Sequence, residues 1–172
     1  MPCEASLRPV YRAILLLLLS ASAACSRPSP RAANPTRVLD ERRAVQVIAE
    51  TFAEESATPG SGPDLELAPL RRLQVDVWAN GRRFGVAYLT QKEREGLRDV
   101  LPARDPKMGD ALQLVSGIGG DADARVCVLY DSDYLYDDLV GESHEKSTLT
   151  AELKLKRDVR DFLAITRREN MK

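Results

Sequence analysis

Aromatic side chains make up only 5% of this chain, histidine and tryptophan occur once each, and cysteine occurs three times in 172 residues. A single histidine excludes the His-Glu-x-x-His spacing of zinc proteases, and no Gly-x-Ser-x-Gly elbow is present for a serine hydrolase. An excess of charge of either sign is also missing, because 25 Lys+Arg stand against 26 Asp+Glu for a formal net charge of -1. That balance excludes the broad basic footprint of a nucleic-acid binder. No apolar run reaches the roughly 20 residues a transmembrane helix needs. No internal repeat of fixed period is found, which argues against a solenoid or propeller. What is present, 44% hydrophobic residues, suffices for one ordinary core.

The densest apolar run is Ala13 to Leu19, preceded by Arg8 and Arg12 and followed by the small residues Ser20-Ala21-Ser22-Ala23-Ala24 and then Cys25. Basic, apolar and small-residue regions in that order predict a cleaved export signal. The segment Ser22-Ala23-Ala24-Cys25 resembles the lipobox of bacterial lipoproteins, with Ser22 at the place usually held by Leu. The resemblance implies that Cys25 is lipidated and becomes the first mature residue, and that Ser26 after it directs sorting to an outer membrane. The alternative is ordinary secretion of a soluble protein, with cleavage after Ala23 and an incidental cysteine. Residues 26–37, rich in Pro, Ser and Arg, have no apolar period and predict an extended tether. Its arginines Arg27, Arg31 and Arg37 either lie along anionic headgroups or keep the tether soluble. The expected organisation is a signal over 1–24, a lipidated Cys25 with its tether over 25–37, and one globular domain over 38–172. With Cys25 lipidated no disulfide can form, and Cys127, inside Arg125-Val-Cys-Val-Leu-Tyr130, is expected to be a small buried hydrophobe.

Within the domain, Leu39, Ala44, Val47, Ile48, Thr51 and Phe52 recur at helical spacing and predict a helix over about 36–56, stopped by Thr58-Pro-Gly-Ser-Gly-Pro63. Leu73 to Leu89 reads as a hairpin turning at Asn80-Gly81, the dipeptide of a type I′ turn. A two-residue loop pairs Val77 with Phe84 and Val75 with Val86, and sets Trp78 opposite Arg83. That pair is either a cation–π contact within the fold or a surface that meets a partner. Thr90 and Glu93 predict a capping box and a helix to Leu101, weakened by Gly96 and ended by Pro102. Residues 111–118 and 125–130 predict a second hairpin with the Val126 strand central. Gly117-Ile-Gly-Gly-Asp-Ala122 matches a dinucleotide fingerprint in letters only, since a strand and not a helix follows it. Residues 147–156 fit either a strand or the start of a C-terminal helix, with helix expected from Leu155 to Arg168. The predicted class is α+β: an antiparallel sheet of four or five strands, with N-terminal, mid-chain and C-terminal helices packed mainly on one face.

The segment Tyr130 to Glu145 carries six carboxylates, three tyrosines and the only histidine, with no Lys or Arg. Carboxylates at this density repel unless solvated, paired or bound to a cation. Asp131, Asp133, Asp137 and Glu142 fall at the first, third, seventh and twelfth positions of a calcium-binding EF-hand loop. Leu135 and Tyr136 occupy its fifth and sixth positions, which excludes an EF-hand and leaves a looser Ca²⁺ site open. His144 with Glu142 and Glu145 is the cluster able to assemble a general base. The candidate binding residues are therefore Asp131, Asp133, Tyr134, Tyr136, Asp137, Asp138, Glu142 and His144, together with Trp78 and Arg83. Alternatively, the acids form a solvated loop that meets Lys154, Lys156, Arg157 and Arg160. The expected function is an envelope-anchored binding or assembly module, held at a membrane and meeting an envelope protein or ligand, with no other cofactor and no nucleic acid. A hydrolase using His144 and the acids of 131–145 is the alternative.

Overall fold

A computed structural model of the chain describes residues 36–103, 112–137 and 147–169. The α+β class holds, and the described residues form a five-stranded sheet, two short two-stranded ladders and three α-helices.

The first ladder joins β1 (Arg37–Val38) to β9 (Leu135–Tyr136), so the chain is already paired before the first described helix begins. Helix α1 (Glu41–Glu54) starts later than the apolar period suggests, because the Asp40 side chain caps it by accepting from the Arg43 N–H at 3.2 Å. It buries Ala44, Val47, Ile48, Thr51 and Phe52. Helix α3 (Thr148–Arg168) settles the ambiguous C-terminal stretch as one continuous helix, capped by Ser147. Its buried face is Ala151, Leu155, Asp158, Val159, Phe162, Leu163 and Thr166, whereas Leu149 and Leu153 are 65% and 55% exposed. The strand-like alternation at 149–155 therefore loses to a longer helical face that buries more surface.

The main sheet has the order β2-β5-β6-β8-β7, formed by Pro59–Gly60, Val77–Ala79, Phe84–Leu89, Arg125–Tyr130 and Gln113–Val115 respectively. Both expected hairpins form, β5–β6 and β7–β8, and the Val126 strand is central. The sheet is mixed where a wholly antiparallel one was predicted, because β6 and β8 run parallel from Phe84↔Arg125 to Leu89↔Tyr130. The chain returns through β7, which runs antiparallel to β8 from Gln113↔Val128 to Val115↔Val126 and brings it back to the end of the sheet where β6 begins, so that β8 can run parallel to β6.

The β5–β6 register also differs from the sequence expectation. Val77 faces Val86 and Trp78 faces Gly85, so the connecting loop is two residues longer than the Asn80-Gly81 pair alone. Among the described non-glycine residues only Ser56 and Leu70 have positive φ, so Asn80 does not, while Gly81 has φ 73°; this excludes a type I′ turn. A shift of two residues keeps each side chain on its face, so the apolar pattern could not distinguish the two registers. Gly85 favours the observed one: a Cβ there would lie 2.6 Å from the Trp78 ring, so only glycine leaves room for the indole.

β6 and β8 are covered on both sides, as parallel strands usually are. On one face Phe84, Val86, Tyr88, Cys127 and Leu129 pack with α1 and α3. On the other, Ala87, Leu89, Val126, Val128 and Tyr130 are covered by Leu65 and Leu73 of a hairpin that sequence reasoning missed, β3 (Asp64–Ala68) and β4 (Arg71–Gln74). Leu97 and Leu101, beyond helix α2 (Gln91–Gly96), complete that second layer. The Thr90–Glu93 capping box forms, and helical geometry ends at Gly96, short of the expected Leu101.

Candidate functional site

β8 delivers the acidic segment to the edge of the domain. Asp131 opens a single 3₁₀ turn, Asp131–Asp133, and accepts a hydrogen bond from the Gln91 N–H at 3.0 Å, holding the start of α2. Tyr130 donates to Gln113 Oε1 and carries the Arg94 guanidinium 4.9 Å above its ring.

Tyr134, expected among the ligand-contacting residues, is 1% exposed and belongs to the core. Its hydroxyl donates to Asp158 of α3 at 3.0 Å and its ring lies 5.9 Å from that of Tyr88. Burial first, then the Asp158 charge, pushes that hydroxyl far above the usual tyrosine range. Tyr136 is half-buried opposite Arg37, Asp133 is half-buried and Asp137 is buried. Asp138, Glu142 and His144 lie outside the described residues. Among the described residues no group of three or more His, Cys, Asp or Glu is arranged to hold a metal ion.

The basic residues expected to meet the acidic loop have other partners here. Lys154 and Arg157 pair with Asp158 at 3.3 and 3.4 Å, while Lys156 and Arg160 reach back to Glu54 of α1 at 3.1 and 2.8 Å. The two Glu54 contacts, with a two-pronged Arg43–Glu152 pair, bind α1 to α3. Trp78 and Arg83 are not opposite each other: the indole is half-buried against Gly85 and the second apolar layer, and Arg83 donates to the Gly120 carbonyl at 2.6 Å. Cys127 is fully buried, and burial drives its thiol far above the range in which it would act as a nucleophile.

Clefts formed by the described residues include two on this framework. One, of about 430 Å³, lies where α1 and α3 end beside the Asn80 turn, with Phe84 and Leu163 among its lining residues and Arg82 and Arg167 also present. The second, of about 370 Å³, lies between β4 and α2 and contains Arg71, Arg72, Asp76, Tyr88 and Glu93. Asp76 sits in the break between β4 and β5, where its carboxylate accepts from the Tyr88 N–H at 2.7 Å. Burial pushes its pKa up to about 6, opposed by that hydrogen bond and aided by the charges of Glu41 and Glu93. Sequence reasoning passed over Asp76 because alternation along an assumed continuous strand assigns it to the outer face. The only local signal was an acid between two apolar strand residues, Val75 and Val77. The cleft thus holds a half-buried carboxyl group with a raised pKa, and Arg71 and Arg72 are among its other lining residues.

Compared with protein-family models, curated proteins and solved structures, the chain matches none, so its reading rests on its own residues.

Proposed function

We propose that this protein is an exported lipoprotein, anchored in a bacterial envelope membrane through Cys25, whose domain is a binding or assembly module for an envelope partner. The observation that carries the reading is the order Arg8/Arg12, Ala13–Leu19, Ser22-Ala-Ala-Cys25 and the Pro/Ser/Arg stretch 26–37, leading directly into an ordered domain. Two or more acyl chains hold a protein stably, whereas one binds only marginally. The β1–β9 ladder supports a role for the acidic segment, because Arg37 and Val38, a few residues ahead of α1, pair with Tyr136 and Leu135. The carboxylates that follow Tyr136 thus begin beside the point where the anchored chain joins the domain.

Cys25→Ser tests the anchor: the variant is expected to leave the membrane fraction, and unchanged fractionation rejects it. The binding role is tested by capture from detergent-solubilised envelopes, comparing the wild type with Asp138→Asn/Glu142→Gln/Glu145→Gln. A partner retained by the wild type and lost by the neutralised variant is the expected result. Identical capture by both removes the acidic segment from the contact surface.

A further inference from the structure

We propose that the tip of the β3–β4 hairpin, Pro69-Leu70-Arg71-Arg72, docks the anchored domain onto an anionic lipid surface. The proposal rests on the lipid-anchor reading above. The hairpin pairs Ala68 with Arg71, leaving Pro69–Leu70 as a two-residue turn. Leu70 has φ 65°, so with proline before it the leucine takes the turn position that favours Gly or Asn. It is also 98% exposed, so the unfavourable backbone conformation is not offset by packing within the chain. A strained backbone that no packing within the chain compensates points to a contact outside the chain.

The flanking charges suit a phosphate-bearing surface. Arg71 donates to the Gly96 carbonyl at 3.2 Å and lies 3.9 Å from Asp99. Arg72 is exposed on β4, in register opposite Glu66 of β3, and makes no ion pair within 4 Å among the described residues. Its position in the fold completes the argument. Leu70 lines the same cleft as Tyr88, and the Tyr88 hydroxyl donates to the Leu39 carbonyl at 3.0 Å, where the chain from the anchor joins the core. The tip and the joining chain therefore share one end of β6, while the Asn80–Arg83 loop lies at the other.

A leucine and one unpaired guanidinium bind a bilayer weakly by themselves. On a domain already held at the membrane the second contact is intramolecular, and its effective concentration makes a weak contact sufficient. A tether sets distance and leaves orientation free. With Leu70 at the acyl boundary and Arg72 at the headgroups, the domain's orientation is also set.

The test uses the mature lipidated protein in vesicles, with Leu70→Cys carrying an environment-sensitive fluorophore; Cys127 is buried and does not compete for label. Emission is expected to rise and shift to the blue in vesicles containing phosphatidylglycerol compared with phosphatidylcholine alone, and to be unchanged for the same label at Arg82→Cys. Reversal by Arg72→Gln supports the headgroup contact. An unchanged Leu70 signal in a protein that still floats with the vesicles overturns the tip and leaves the anchor standing. A response that needs an added envelope protein overturns it in favour of a protein contact. If the Cys25→Ser protein stays with membranes, the anchor reading fails by itself, and an unchanged Leu70 label on anionic vesicles then overturns the tip as well.

Discussion

The Tyr88 N–H donates to the Asp76 carboxylate at 2.7 Å, closing a gap in the backbone ladder with a side chain. The same tyrosine reaches through its hydroxyl to Leu39, so one residue of β6 ties the beginning of the domain to the junction of β4 and β5.

Asp76 makes stability depend on pH in a defined direction. Its pKa rises from 3.8 to about 6 on folding, so in that interval the native state binds more protons than the unfolded chain. Stability from this group is present below the interval and is lost as pH rises through it. Asp76→Asn keeps an acceptor for Tyr88 and removes the charge, and is expected to stabilise the domain at neutral pH by about 1 kcal/mol after allowance for solvent screening. Chemical denaturation of both proteins across that interval checks it, and a larger gain at acid pH than at neutral pH contradicts it.

Glu152 behaves in the opposite sense. The Arg43 hydrogen bond holds its carboxyl below the usual range, so the pair stabilises the fold at neutral pH and is lost as acid protonates Glu152. A double-mutant cycle with Arg43→Gln and Glu152→Gln is expected to show favourable coupling at neutral pH that shrinks in acid. Coupling independent of pH contradicts it.

Gly85→Ala discriminates between the two hairpin registers. In the observed one the new Cβ meets the Trp78 ring and the Val77 carbonyl, both at 2.6 Å, and a loss of about 1–3 kcal/mol is expected. In the register that Asn80-Gly81 alone suggests, Gly85 faces Asp76 and alanine is tolerated. A neutral result in a thermal melt therefore contradicts the observed pairing.

Helix α3 gives a paired prediction. Leu155→Ala removes a fully buried side chain and is expected to cost about 2–5 kcal/mol. Leu153→Lys changes an exposed position and is expected to stay within about 0.5 kcal/mol. A continuous strand over 149–155 would put both leucines on one face and make both changes severe.

Leu70→Gly relieves the positive φ without removing any core contact. It is expected to raise stability by about 1 kcal/mol, read from the denaturation midpoint. Destabilisation would show that the leucine packs within the chain.

Local chemistry by itself determined much of this protein. The spacing of Ala44, Val47, Ile48 and Phe52, the Thr90–Glu93 capping box, the buried Cys127 and the two main-sheet hairpins all follow from neighbours in sequence, because helical faces, caps and apolar runs are short-range properties. Choices between locally equivalent patterns were decided only by the tertiary structure. The β5–β6 register needed the fit of Trp78 over Gly85, the parallel β6–β8 pair needed β7 to carry the chain back across the sheet, and the helix over 148–168 needed a partner in α1. The candidate site divides the same way. The density of carboxylates after Tyr130 is visible in the letters, but Tyr134 reads as a surface aromatic until Asp158, 24 positions later in the chain, accepts its hydroxyl. Leu70 carries no sequence signal and Asp76 only that of an acid between two valines, since a raised pKa and an exposed strained turn arise from how distant segments exclude water or fail to cover a side chain.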